Sequence, residues 1–554
     1  VPLRQLSPLW LAMCLSVACT ATSTDPDDDT EVEAPPFCEP LGLPTTPFRT
    51  DATTAALAQT AGEFTVETTD GPWVFSERFT GCSSYVFFVH FPGVTDQLMR
   101  TELNALIEQA PDNVEYFFLT DADNREDRTS FLDDMSASLD DALDQVLKGK
   151  AKKDAWRQRF HFVTQRASNI DGSVGEFVNT MVALSSDPAA RADLGERGSA
   201  PVPLPIVFGI DRDQRFDAGG SLSPYVGAPG DELGMATWLA HFYNYRHALD
   251  ARFRDEPGVT VVPVLDELTT GRVFTLPVTL PSASEMAEFD RLEFDVTIDC
   301  QLVNPFACSE WDRIAWIWLC TDGEACTQRL ELARWITPYW RRGRQRYALE
   351  ASPMIALLRE GGDVHLYVEL GPSWERATEW DVDLSLRFSD TGGPRPLAAV
   401  PAFTGGGFGE TYNDRTPVPF TPPAGTTRAE LVALITGHGQ TAGDNCAEWC
   451  DHRHTFAVDG TDLPTVLHEG TSIGADTGCA ERANQGVMPG QWGNWSQSRA
   501  YWCPGMAVTP HRLDMTALIS AGTAGEIGYR ASFGNGEPRG GDIALSSYVV
   551  FYGE

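Results

Sequence analysis

Residues 291–299 read RLEFDVTID, and their alternation decides the fold of the C-terminal half. Leu292, Phe294, Val296 and Ile298 fall on one side of an extended chain, with Glu293, Asp295, Thr297 and Asp299 on the other. A period of two marks a half-buried strand, one face on a core and the other in water. The same texture returns in DVDLSLRF at 381–388, and the apolar runs AWIWL (315–319) and VHLYVEL (364–370) read as further strands. Glycine and proline punctuate the chain from about residue 258 to its end, the pattern of β-sandwiches or jelly rolls. A Gly- and Pro-rich seam near 390–401 divides this half into two all-β jelly-roll domains, 258–392 and 393–554.

Upstream the texture differs. SYVFFVHF at 84–91 and VEYFFLT at 114–120 are continuous apolar runs, as in parallel strands buried on both faces. Helical patterns at 97–109, 129–148 and 233–253 and strands near 160–165 and 205–211 complete an α/β order over residues 40–257. This unit resembles the thioredoxin fold, with Pro205 where that family keeps a cis-proline. The redox signature is absent: no Cys-x-x-Cys follows the 84–91 strand, and Cys82 precedes it. Without that signature thiol chemistry is not expected of this unit, and a positioning or recognition role is.

At the N-terminus, Arg4 and the short apolar run Leu9–Ala18 read as a signal peptide, residues 1–18. Cys19 follows at once, in a context that resembles a bacterial lipoprotein cleavage site, which implies lipid acylation of Cys19. Residues 19–39, including TATSTDPDDDTEVEAPP, form an acidic tether with no apolar face to bury. The protein is therefore expected to be exported, either as a cell-surface or outer-membrane lipoprotein or in secreted form. Its contact with the membrane would be through the lipid anchor alone, and a monomer is expected. A formal net charge of −37 repels polyanions, so nucleic acid is excluded as a partner.

Cysteine usage agrees with export. Once Cys14 and Cys19 are set aside, ten of the twelve remain, an even number suited to disulfides in an oxidising compartment. Pairing sequence neighbours proposes Cys300–Cys308, Cys320–Cys326, Cys446–Cys450 and Cys479–Cys503, which leaves Cys38 for Cys82. Spacing alone leaves other connectivities open.

Three segments concentrate acids, tryptophans, arginines and cysteines: 300–313, ending CSEWDR; 445–454, NCAEWCDHRH; and 489–508, PGQWGNWSQSRAYWCPGMAV. Indoles cover the apolar face of a sugar ring while charged groups hydrogen-bond its hydroxyls, and short disulfide loops would hold them rigid. A lone Trp-Asp-Arg triplet is more often a salt-bridged strand end; three such clusters weaken that reading.

The motifs CSEWDR (308–313), RWITPYW (334–340), CAEWC (446–450) and RAYWCPGMAV (499–508) occur in the order found in the peptide-N-glycosidase F family, which residues 260–554 resemble. That family packs two eight-stranded jelly rolls with the active site between them. The resemblance implies an amidase that cleaves the β-aspartylglucosaminyl bond of an N-linked glycoprotein or glycopeptide, freeing the glycan and turning Asn into Asp. It assigns catalysis to Asp312 and Glu448, with Glu369 as a third, supporting acid. Arg313 and Arg499 would face the substrate, with Trp311, Trp340, Trp449 and Trp502 around it, and three of the disulfides, 300–308, 446–450 and 479–503, correspond as well. Gly371 and His438 stand where the family has tryptophan, so the first wall of the cleft is either missing or rebuilt by Trp374. A non-catalytic N-glycan-binding lipoprotein is the alternative.

No cofactor or metal is required. Cys446-x3-Cys450-x-His452-x-His454 has a zinc site's composition, but export favours the disulfide. The GTSIG of 470–474 matches a nucleophile elbow without the helix that should follow. The DADNR of 121–125 lacks the glycine and oxygen ligands of a calcium loop.

Overall fold

The computed structural model describes residues 38–186, 204, 206–217, 232–299, 311–339, 343–371, 379–439, 446–470, 476–491, 493–534 and 536–553. Cys19, Pro205, Cys300, Cys308, Trp340, Trp374 and Ser472 lie outside them.

The chain is multidomain and mostly β. Its α/β unit is built on an eight-stranded sheet with three parallel central strands, Phe160–Arg166, Val114–Thr120 and Ser84–His90. Val207–Ile210 adds antiparallel to Ser84–His90, and Phe216–Asp217 antiparallel to it in turn. Val86 to Val89 are all at 0% exposure because helices cover both faces. The Asn104–Glu108, Arg125–Val146 and Thr237–Asp255 helices pack on one side, and the Ser173–Ser186 helix on the other. The 97–109 stretch is not one helix but a 3-10 turn and a short helix. The next helix starts at Arg125, ahead of the expected 129, because Asn124 caps it by accepting from the Asp127 N–H. Cys82 is bonded to Cys38, which anchors the start of the described chain to the strand 84–90.

The first β lobe is two four-stranded antiparallel sheets, the second a four-stranded sheet facing a five-stranded one. Leu292, Phe294, Val296 and Ile298 point into the first lobe's core as their period requires. The other face of that strand is not open to water as expected. Glu293 and Thr297 are buried, since the Thr237–Asp255 helix lies over this sheet. Arg252 grips Glu293 through two bonds of 2.7 and 2.9 Å, Asp250 takes Arg346 at 2.8 Å, and the Phe253 ring sits beneath Arg346 and Arg387.

The two lobes share a core. Val432, Tyr548, Val550 and Tyr552 of the second pack with the apolar cluster of the first. At their junction Arg334 and Glu331 form a bidentate pair, both 1% exposed or less, and Arg334 reaches across to Thr436 Oγ1 and the Ala544 carbonyl at 2.8 Å. Disulfides are present at Cys38–Cys82, Cys320–Cys326, Cys446–Cys450 and Cys479–Cys503.

Candidate active site

Asp312 and Glu448 are 136 positions apart in sequence, on different lobes, and meet at one guanidinium. Asp312 lies two residues before the strand Ile314–Cys320. Its segment is pinned to the RWITPYW segment: the Arg313 N–H donates to Thr337 Oγ1, and the Thr337 N–H donates back to the Arg313 carbonyl, both at 2.9 Å. Glu448 stands on the single helical turn Cys446–Trp449, closed by the Cys446–Cys450 disulfide. Gly437 lets that turn come close, because a Cβ there would lie 1.8 Å from the Ala447 carbonyl oxygen.

Arg499 bridges the acids, with Nη2 3.5 Å from Asp312 Oδ2 and Nε 3.2 Å from Glu448 Oε1. Its remaining donors are held as well: Nη1 by the Gln497 carbonyl at 2.9 Å and Nη2 by Asn494 Oδ1 at 2.7 Å. The guanidinium lies 4.9 Å from the Trp449 ring and 4.8 Å from the Trp502 ring, a doubled cation–π contact for a charge only 4% exposed. Trp502 is fixed by its indole N–H, which donates to the Gly437 carbonyl at 2.7 Å, and His438 stacks on it at 4.9 Å.

Burial pushes the Glu448 carboxyl up from 4.5 to about 7; Arg499 and the Gly439 N–H work against that rise, while Asp312 adds to it. Burial, then Arg334 and Arg499, push His438 down to about 3, so this ring is neutral. Around the acids three buried polar atoms, His438 Nε2, Trp449 Nε1 and Gln497 Oε1, have no hydrogen-bond partner among the described residues.

Glu369 closes the strand Gly361–Glu369, opposite Trp316 on the strand that follows Asp312. It accepts from the Tyr367 hydroxyl at 3.3 Å and is not among the partners of Arg499. Trp311 is 37% exposed and stacks on Tyr339 at 5.4 Å. The structure therefore joins Asp312, Glu448, Arg499, Trp449 and Trp502, places Trp311 and Arg313 on the segment next to them, and sets Glu369 one strand away. Sequence reasoning passed over Asn494, Gln497, Thr337 and Tyr339. For Asn494 and Gln497 the available signal was polar side chains in the stretch GNWSQ (493–497), too short a pattern to name a guanidinium cradle.

Cys446 and Cys450 are bonded to each other, and His452 Nδ1 lies 2.9 Å from His454 Nε2, hydrogen-bonded rather than spread around a cation. Among the described residues no group of three or more His, Cys, Asp or Glu side chains has a metal-binding arrangement.

Residues 409–550 match the model of the C-terminal domain of peptide-N-glycosidase F. The peptide-N(4)-(N-acetyl-beta-D-glucosaminyl)asparagine amidase F of Elizabethkingia miricola is 29% identical over an alignment of 264 residues that covers 44% of this chain and 69% of that protein. Among solved structures, peptide-N-glycosidase F of Flavobacterium meningosepticum aligns at 20% identity and a TM-score of 0.40, over 53% of this chain and 96% of its own. The structure of PNGF-II aligns at 15% identity and a TM-score of 0.42, over 54% and 66%. The matched domain model falls on the second lobe, which carries Glu448 and Arg499, and it is the peptide-N-glycosidase F family that this chain resembles.

Proposed function

We propose that this protein is a peptide-N-glycosidase: it hydrolyses the amide between an asparagine side chain and the first sugar of an N-linked glycan, and leaves Asp behind. The observation that carries the reading is the bridging of Asp312 and Glu448 by Arg499 between two indoles. In this reading Asp312 takes a proton from the attacking water as its oxygen bonds to the amide carbon, and returns it to the departing glycosylamine nitrogen. Both described partners of Glu448, the Arg499 Nε–H and the Gly439 N–H, are donors, an arrangement that suits the carboxylate form. Ionised Glu448 accepts the substrate amide N–H and turns the carbonyl toward the water. Arg499, with every guanidinium nitrogen engaged, organises the acids; the charge that develops on the carbonyl oxygen falls to a donor such as Arg313. Glu369 and Trp311 contact the sugars. No cofactor enters this scheme.

The strand order of the α/β unit supports a thioredoxin-like reading of residues 40–257, and the paired sheets support jelly rolls at 258–392 and 393–554. The disulfides support an exported protein, with signal peptide and acylated Cys19 as the route.

Incubation with a glycopeptide tests the function. Mass spectrometry should show Asn converted to Asp with an intact glycan released, and Asp312→Asn should abolish conversion while the protein melts as a folded one. Retention of the glycopeptide without conversion would make the protein a glycan-binding one instead.

A further inference from the structure

The loop that delivers Arg499 does not belong to the β lobes alone. It runs from Cys479 to Cys503, closed by the disulfide between them, and its apolar side chains Ala483, Val487, Met488 and Trp495 are all at 0% exposure. They are packed into the core of the α/β unit, in one cluster with Val86, Phe88, Leu239 and Phe242. The Thr237–Asp255 helix lies directly on the loop's first turn, Ala480–Gln485. Tyr245 of that helix touches Gly486, where a Cβ would stand 2.9 Å from ring atoms Cε1 and Cζ, and where φ of +106° already favours glycine. Gln345 of the first lobe holds the same residue by donating to the Gly486 carbonyl at 3.1 Å. Farther along the loop, Trp495 is flanked by Asn494 and Gln497, the two residues that hold the Arg499 guanidinium.

We propose that the α/β unit is a positioning part of the active site, and that its Thr237–Asp255 helix, through Tyr245 on Gly486, sets the loop that aims Arg499 at Asp312 and Glu448. The same helix is tied at its far end to the first lobe by Asp250–Arg346 and Arg252–Glu293. One rigid element therefore spans from the lobe that carries Asp312 to the loop that carries Arg499. Tyr245 and Gly486 touch neither acid and act through the loop. The inference rests on the reading of Asp312 and Glu448 as the working acids.

Three full-length variants test it: Tyr245→Ala, which removes the ring from the loop; Gly486→Ala, which pushes against it; and the two combined. Circular dichroism first confirms that each is folded. Each single variant should lower kcat on a glycopeptide by roughly tenfold to a hundredfold with KM little changed, the scale expected when a reacting group is displaced by about an ångström. The double variant should recover part of the Gly486→Ala loss, because the contact that displaced the turn is gone.

The second readout is independent of turnover. Glu448 faces Arg499 and Asp312, so its carboxyl, followed by NMR with Glu448→Gln to identify the signal, should titrate about one unit higher once Arg499 is displaced. Folded single variants with unchanged kcat and unchanged Glu448 titration would overturn the proposal. A moved titration in a protein whose wild type releases no glycan would sustain the positioning and sink the amidase reading.

Discussion

Glu448 is pulled two ways: burial and Asp312 favour its neutral form, Arg499 and the Gly439 N–H its ionised one, and the outcome is a carboxyl that titrates near 7. If the ionised form orients the amide, kcat should rise with pH through about 7, and the limb should vanish in whatever activity Glu448→Gln retains; a rate that falls through that range would make Glu448 a proton donor. The same shift has a cost in stability. A carboxyl raised in the folded state holds its proton where the unfolded chain has released it, so stability declines as pH climbs from 4.5 to about 7, by about 3 kcal/mol. Glu448→Gln should therefore melt higher than wild type at pH 8 and alike near pH 4, read from thermal midpoints. In sequence both acids were singled out through the family resemblance that their short motifs of acid, tryptophan and cysteine or arginine carry, and the structure brings the two to one guanidinium. Asn494 and Gln497 were not legible there, since they act only through the fold of one loop around one guanidinium.

At the scale of elements, alternation located the strands but not what lies on them. RLEFDVTID gave the inward face correctly, yet its Glu293 turned out to be an anchor for a helix, and nothing local distinguishes a hydrated Glu293 from one held by Arg252. The Arg334–Glu331 pair makes the same point at the lobe junction, where an arginine of a recognisable motif serves to join two sheets. Its charges are out of water, and Ser546 Oγ and Thr436 Oγ1 satisfy what the pair leaves over. Breaking it by Arg334→Ala strands a buried carboxylate and should cost about 3–5 kcal/mol in urea unfolding. Arg334→Met with Glu331→Leu leaves no lone charge and should cost far less than the single change. Equal losses would mean that the arginine stabilises by packing alone.

Across the whole molecule the three bodies are joined through shared cores, which no stretch of sequence announces: the loop 479–503 reads as part of a β domain and packs in an α/β one. This continuity ties the second lobe's acid sensitivity to the rest of the chain. Inside that lobe the His452 Nε2–H donates to the Ala447 carbonyl, its Nδ1 lies 2.9 Å from His454 Nε2, and His454 Nδ1 lies 2.7 Å from the Tyr529 hydroxyl, all buried. Burial pushes His452 and His468 down from 6.5 to about 4 and His454 well below its usual range. The folded protein keeps these rings neutral while the unfolded chain protonates them, so their contribution is complete above about pH 6.5 and drains as pH falls toward 4, about 3 kcal/mol for His452 alone. Glu448 runs the other way over part of that range, but it is one group against several. Stability should therefore fall steeply below pH 6.5, and because the second lobe shares its apolar contacts with both neighbours, far-UV dichroism and tryptophan fluorescence should report one coincident acid transition. His454→Gln, which keeps a donor and an acceptor without a titrating ring, should move that transition to lower pH. Two separated transitions, with the α/β signal surviving the loss of the β lobes, would show that the shared core does not couple them.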